Sequence, residues 1–171
     1  MTHPRSANDV LNSVFGYQEF RGTQEAIIER TLADKHSLVL MPTGGGKSMC
    51  YQLPALLSEG LAIVVSPLIA LMKNQVDAIR GISNQDGIAH VLNSTLTKDE
   101  QEKVKDDVKN GVTKLLYMAP ESLSKDSNIE FLKSNNILFE KKASEPPLNI
   151  TAFPLLKHNE ETSEVTFGLL S

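Results

Sequence analysis

Ser37-Leu38-Val39-Leu40-Met41-Pro42-Thr43-Gly44-Gly45-Gly46-Lys47-Ser48-Met49-Cys50-Tyr51-Gln52 joins a short apolar run to a helix-compatible one through glycines, a lysine and a hydroxyl. Strand, glycine-rich loop, lysine, hydroxyl and helix, in that order, cradle the phosphates of a nucleoside triphosphate. Gly44, Gly45 and Gly46 let backbone N–H groups converge on phosphate oxygens with no Cβ in the way. Thr43 belongs to the same loop. Lys47 would reach the β- and γ-phosphates, and the Ser48 hydroxyl would ligate Mg²⁺. The helix that follows turns its positive end toward the same anion. The competing reading is a flexible glycine turn with a solvated lysine. The pattern's first glycine is replaced by Met41, a position that shapes the loop without touching phosphate.

Outward from this loop the chain alternates. Ser37–Met41, Leu61–Val65, Ile88–Leu92 and Lys114–Met118 are short, aliphatic runs of the kind that form buried parallel strands. Between them the spacing is helical. Ser66-Pro67 reads as an N-cap with proline at the first helical position, and Leu68, Leu71, Met72, Val76 and Ile79 mark one apolar face, with Gly81 near the expected stop. Thr97-Lys98-Asp99-Glu100 reads as a capping box opening a helix that carries Val104 and Val108 and ends at Asn110-Gly111. Val10–Phe15 and Gln24–Leu32 predict two helices ahead of the first strand. Repeated strand–helix units imply an α/β fold, with a parallel sheet flanked by helices and ligands at the carboxyl ends of its strands.

The composition sets bounds on function. The chain has 171 residues, 40% of them apolar, which is enough for one domain with a core. Its net charge of −4 gives no bulk electrostatic case for nucleic-acid binding, so any such contact rests on local groups and backbone amides. Cys50 stands alone, which excludes an internal disulfide and a four-cysteine zinc site. It fits a buried small residue better than a nucleophile. No apolar run reaches the ~20 residues that span a bilayer. With no signal-like start, the expectation is a cytoplasmic protein with no membrane partner.

Further segments gather around the loop. Together they resemble the first motor domain of RecQ-type DNA helicases, from about Val14 to Phe139. Phe15-Gly16-Tyr17-Gln18-Glu19-Phe20-Arg21-Gly22-Thr23-Gln24 is similar to that family's adenine-reading segment. The resemblance implies that Tyr17 stacks on the base, Gln24 hydrogen-bonds its edge and Arg21 assists. Ser66-Pro67-Leu68-Ile69-Ala70-Leu71-Met72-Lys73-Asn74-Gln75-Val76 resembles the first DNA-contact segment, with Ser66, Pro67 and Lys73 toward DNA phosphates. Leu92-Asn93-Ser94-Thr95 and Tyr117-Met118-Ala119-Pro120-Glu121-Ser122-Leu123 resemble two more strand-end loops on the DNA track, implicating Asn93, Ser94, Thr95, Pro120 and Glu121. The implied fold is RecA-like, the cofactors are ATP and Mg²⁺, and the partner is single-stranded or forked DNA.

The resemblance stops abruptly. The family continues into a strand ending in Asp-Glu-Ala-His, whose aspartate holds Mg²⁺ and whose glutamate positions the attacking water. In register, that acidic pair falls near Ala143 and Ser144, which lack carboxylates, and Glu145 is followed by Pro146-Pro147. No catalytic residue is therefore assigned. The expected organisation is a partial, incomplete ATP-binding domain over 1–139 and a divergent tail over 140–171, which suggests a truncated or frame-altered product. Two readings of the tail compete, an irregular segment and a hairpin through Thr166–Leu170, of which the irregular segment is favoured. The expected activity is nucleotide and weak DNA binding without hydrolysis or unwinding. The alternatives are an unstable remnant and a small-molecule kinase built on the same loop.

Overall fold

The computed structural model describes residues 6–35, 37–42, 44–123 and 125–134, together with the backbone of 151–155 and 164–170. Its elements follow in order: α1 (Ala7–Ser13), α2 (Gln24–Leu32), β1 (Leu38–Pro42), α3 (Met49–Leu57), β2 (Ala62–Val65), α4 (Ile69–Ser83), β3 (Ala89–Leu92), α5 (Lys98–Lys109), β4 (Leu115–Met118), α6 (Pro120–Leu123), α7 (Asp126–Ser134), β5 (Thr151–Leu155) and β6 (Glu164–Leu170). The four predicted strands fall within a residue of their expected bounds. β2, β4 and β3 form a parallel sheet in that order, with Ala62 opposite Leu115 and Ala89 opposite Leu115 on the other side.

Side-chain alternation divides the core into two layers. Ala62, Val64, Ala89, Leu115 and Tyr117 face α3 and α4 through Tyr51, Ala55, Met72, Val76 and Ile79. Ile63, Val65, Leu92, Leu116 and Met118 face α5 and α7 through Val104, Val108, Phe131 and Leu132. This is the predicted sheet with helices on both faces. α1 and α2 pack Val10, Leu11 and Ile28 against Met49 and Leu53 of α3, which anchors the amino-terminal segment beside the phosphate loop.

Several local readings need correction. α4 starts at Ile69 rather than Pro67, and its N-cap is Leu68, which makes no side-chain capping bond. Ser66 instead accepts the Leu68 N–H at 3.3 Å and shapes the turn before the helix. Leu68 and Leu71 were expected on the apolar face but are 47% and 42% exposed: Leu68 lies in extended backbone before the helix, and Leu71 sits about 100° around it from the buried Met72. Gly81 does not stop α4. The helix runs to Ser83 and ends on Asn84, which supplies the left-handed cap at φ 54°. Gly81 is thus an interior helical glycine, and a Cβ there meets nothing within 4 Å. Gly81→Ala is expected to raise stability by about 0.5–1 kcal/mol, read as a higher urea midpoint at unchanged slope.

The capping box at Thr97 is present as predicted, with Thr97 and Glu100 bonded reciprocally. Thr151–Leu155 and Glu164–Leu170 adopt strand backbone, so in these stretches the hairpin reading holds, and over a longer span than Thr166–Leu170. β5 and β6 pair antiparallel with Thr151 opposite Leu170. β6 pairs antiparallel with β1, and β5 pairs parallel with β2 at Ile63 and Val64. The hairpin therefore bridges β1 to β2, and the sheet order is β1-β6-β5-β2-β4-β3. Pro154 lies beyond the two β2 pairs, where its missing N–H costs no bond to β2.

Candidate nucleotide site and strand-end loops

β1 delivers the chain into the phosphate loop at Pro42. Thr43 lies outside the described residues. Gly45 N–H turns back to the Pro42 carbonyl at 3.0 Å, and Gly44 and Gly46 sit at φ 80° and 78°, a region that suits glycine. Ser48 then caps α3 with no side-chain capping bond, so its hydroxyl is not spent on the helix end. Lys47 Nζ donates to the carbonyls of Met41 and Pro42 at 2.7 and 2.8 Å. Its ammonium thus lies across the end of β1, and partial burial lowers its pKa from the usual lysine value.

The amino-terminal segment meets this loop. Gln24, the first residue of α2, is 5% exposed. Its Oε1 accepts the Arg21 backbone N–H at 2.8 Å, and its Nε2 donates to the Gly46 carbonyl at 3.2 Å. The amide read as an adenine contact is therefore bound to the loop itself. Tyr17 is 47% exposed, and the Arg21 guanidinium lies 5.4 Å from its ring centroid. Cys50 is buried, and burial pushes its thiol up to about 11, which makes it the inert core residue the sequence implied.

Parallel pairing puts the carboxyl ends of β2, β3 and β4 on one side of the sheet, and the remaining candidates follow those ends. Pro67, Lys73, Ser94, Thr95, Pro120 and Glu121 are exposed there. Ser66 and Asn93 are not, at 3% and 5% exposure. Asn93 Oδ1 accepts from both Thr95 N–H and Thr95 Oγ1, so its side chain pins the turn. Its Nδ2 is buried and has no hydrogen-bond partner among the described residues. Pro120 and Glu121 open α6 rather than an irregular loop.

One buried network went unread in the sequence. Gln52 of α3 donates to Gln75 Oε1 of α4 at 2.9 Å and lies 3.2 Å from the Tyr117 hydroxyl of β4. Tyr51 also reaches Gln75 Oε1, at 3.4 Å. It joins the helix behind the phosphate loop to the two elements leading to strand-end loops. The spacing of Gln52 and Gln75 marks them only as helical polar residues, and their partners are set by helix packing across the sheet.

A sequence model of the DEAD/DEAH box helicases matches residues 21–140. The chain belongs to the DEAD/DEAH box helicase family. It is 48% identical over 136 residues to the ATP-dependent DNA helicase RecQ of Pasteurella multocida, covering 79% of this chain and 21% of that protein. Against RecQ of Bacillus subtilis it is 46% identical over 129 residues, covering 74% and 21%. Against the ATP-dependent DNA helicase Q1 of Mus musculus it is 44% identical over 121 residues, covering 68% and 18%. The RecQ-type resemblance read from the motifs is borne out. The chain spans about one fifth of the length of these relatives. The positions at Ala143 and Ser144, where the acidic pair was sought, lie outside the described residues. Among the described residues, no helix is long and apolar enough to cross a membrane.

Proposed function

We propose that this helicase-family chain binds ATP with Mg²⁺ and contacts single-stranded DNA through its strand-end loops, without turning the nucleotide over. The observation that carries the reading is the loop itself. Left-handed Gly44 and Gly46, the Lys47 ammonium at the end of β1 and the amino end of α3 all belong to this one turn, and together they supply the donors and positive charge that an anion needs. These residues fit a triphosphate: the lysine would exchange the Met41 and Pro42 carbonyls for phosphate oxygens, and Ser48 has a hydroxyl to offer a magnesium ion. Bound ATP–Mg²⁺ would supply the phosphoanhydride and the charge-neutralising metal. The chain's own part is to orient the phosphates and hold the base against Tyr17 and Gln24. DNA phosphates would meet the α4 end at Pro67 and Lys73 and the loop at Ser94 and Thr95.

The non-hydrolytic part follows from Ala143 and Ser144. With no carboxylate pair in register, nothing holds the metal's far side or positions water, and a positioned base alone contributes about 10²–10⁴-fold. The test is a titration with fluorescent ATP and GTP, with and without Mg²⁺, followed by a hydrolysis assay on the same sample. Mg²⁺-dependent ATP binding with no phosphate release is expected. Steady hydrolysis, or no nucleotide binding at all, would overturn the proposal. Gln24→Ala is expected to weaken ATP about tenfold and GTP little, since an amide matched to adenine's donor–acceptor edge contributes about 1–3 kcal/mol of discrimination. Equal losses for both nucleotides would mean that Gln24 acts only through the loop.

A further inference from the structure

At the free edge of β3, side chains from three elements meet. Arg80 of α4 donates through Nε to the Ala89 carbonyl at 2.8 Å, and its Nη2 lies 2.8 Å from His90 Nδ1. On the other side of the ring, His90 Nε2 lies 2.8 Å from Asp107 Oδ2 of α5. The imidazole is buried at 6% exposure. Because α4 packs on one face of the sheet and α5 on the other, this run of contacts passes from one helical layer to the other around the strand edge. It also occupies the Ala89 carbonyl, an edge group otherwise open to pairing.

The geometry fixes the protonation state. A guanidinium carries donors only, and a carboxylate carries acceptors only. Nδ1 facing Arg80 must therefore hold a lone pair, and Nε2 facing Asp107 must hold the proton. The ring is neutral and in one tautomer. A second proton, on Nδ1, would set donor against donor and cation against cation. The charged groups facing the ring are Arg80 from α4 and Asp107 and Lys103 from α5. Burial is the largest influence and lowers the histidine pKa, with the Arg80 and Lys103 charges acting the same way and Asp107 opposing them.

We propose that Arg80, His90 and Asp107 form a clasp that positions α4 and the loop after β3, closed while His90 is neutral and opened by acid. Its bearing on DNA rests on the function proposed above, since α4 carries Lys73 and β3 leads into Ser94 and Thr95. The three are positioning residues and touch no ligand themselves. The sign follows from where the proton goes. Above the ordinary histidine value of about 6.5, folded and unfolded chains are both neutral and the clasp stabilises fully. As pH falls below it, the unfolded chain takes the proton first. The folded-to-unfolded ratio then drops by up to about tenfold per pH unit, until the lowered folded pKa is reached.

The test uses the full chain. Urea unfolding is followed from pH 7.5 to 5.5 for wild type and His90→Gln, with imidazole nitrogen NMR on wild type and single-stranded oligonucleotide anisotropy across the same range. Glutamine keeps one donor and one acceptor but does not titrate. The expected results are an Nε2–H tautomer, a His90 midpoint below the ordinary value, and a stability loss on acidification that His90→Gln lacks. Oligonucleotide affinity of wild type should fall only as pH drops through that lowered midpoint, where the folded ring takes its second proton and the clasp opens. An Nδ1–H tautomer, a midpoint at or above the ordinary value, or identical pH profiles for the two proteins would overturn the clasp. If His90→Gln does not fold, the wild-type imidazole titration decides alone. Absence of DNA binding at every pH would overturn the DNA reading and the clasp's bearing on it, while the imidazole and unfolding data still decide the clasp.

Discussion

Lys47→Ala is expected to lower ATP affinity by at least about thirtyfold while leaving the fold in place. The lysine's ammonium lies at the end of β1, bonded to the Met41 and Pro42 carbonyls, next to the loop proposed to hold the phosphates. A triphosphate offers it full negative charge in place of two neutral carbonyls, so the side chain moves a short way to a stronger partner. Removing one partner of a close, partly buried charge pair costs about 2–5 kcal/mol, which at about 1.4 kcal/mol per decade is thirtyfold or more. The unliganded protein loses much less. Pro42 is exposed, and water can replace the ammonium on its carbonyl, so the urea midpoint should shift by no more than about 1 kcal/mol equivalent. The check is calorimetric titration of both proteins with ATP–Mg²⁺ beside their unfolding curves. Unchanged affinity would remove Lys47, and with it the phosphate-loop assignment, from the proposed function.

What the sequence disclosed and what it withheld divide along a physical line. Readings that depended on local covalent geometry were legible. The capping box at Thr97, the helix over Gln24–Leu32 and the glycine loop each follow from a few adjacent residues. Readings that depended on where an element meets the rest of the chain were not. Leu68 falls outside the helix because α4 starts at Ile69, and Leu71 lies about 100° from the buried stripe of Met72, Val76 and Ile79, a choice of face that only the docked sheet makes. Gly81 carries the commoner stop signal, yet Asn84 ends the helix, because asparagine also tolerates the left-handed cap. The hairpin over Thr151–Leu155 and Glu164–Leu170 was not legible because no core face can be drawn along it, and its pairing is set by β1 and β2, far away in sequence. In the site, the phosphate loop was legible as a unit. The tie between Gln24 and Gly46, 22 residues apart, was not, since it depends on α2 docking against α3.

That tie sets the second large effect: Gly46→Ala should damage both loop and binding, and more than Gly44→Ala. Both glycines hold left-handed backbone, at φ 78° and 80°. An alanine at either position costs about 1–2 kcal/mol in backbone strain. Their surroundings differ. A Cβ at Gly44 meets nothing within 4 Å, whereas at Gly46 it overlaps the Gln24 amide nitrogen. Gln24 would have to swing away, giving up its bond to the Gly46 carbonyl, a further loss of about 0.5–1.5 kcal/mol. The expected order of unfolding midpoints is wild type, then Gly44→Ala, then Gly46→Ala, with ATP affinity following the same order. A double-mutant cycle isolates the contact: in a Gln24→Ala background the excess cost of Gly46→Ala over Gly44→Ala should vanish. If the excess persists there, the loop and the α2 amide are energetically independent. The base-reading segment would then reach the phosphate loop only through the nucleotide itself.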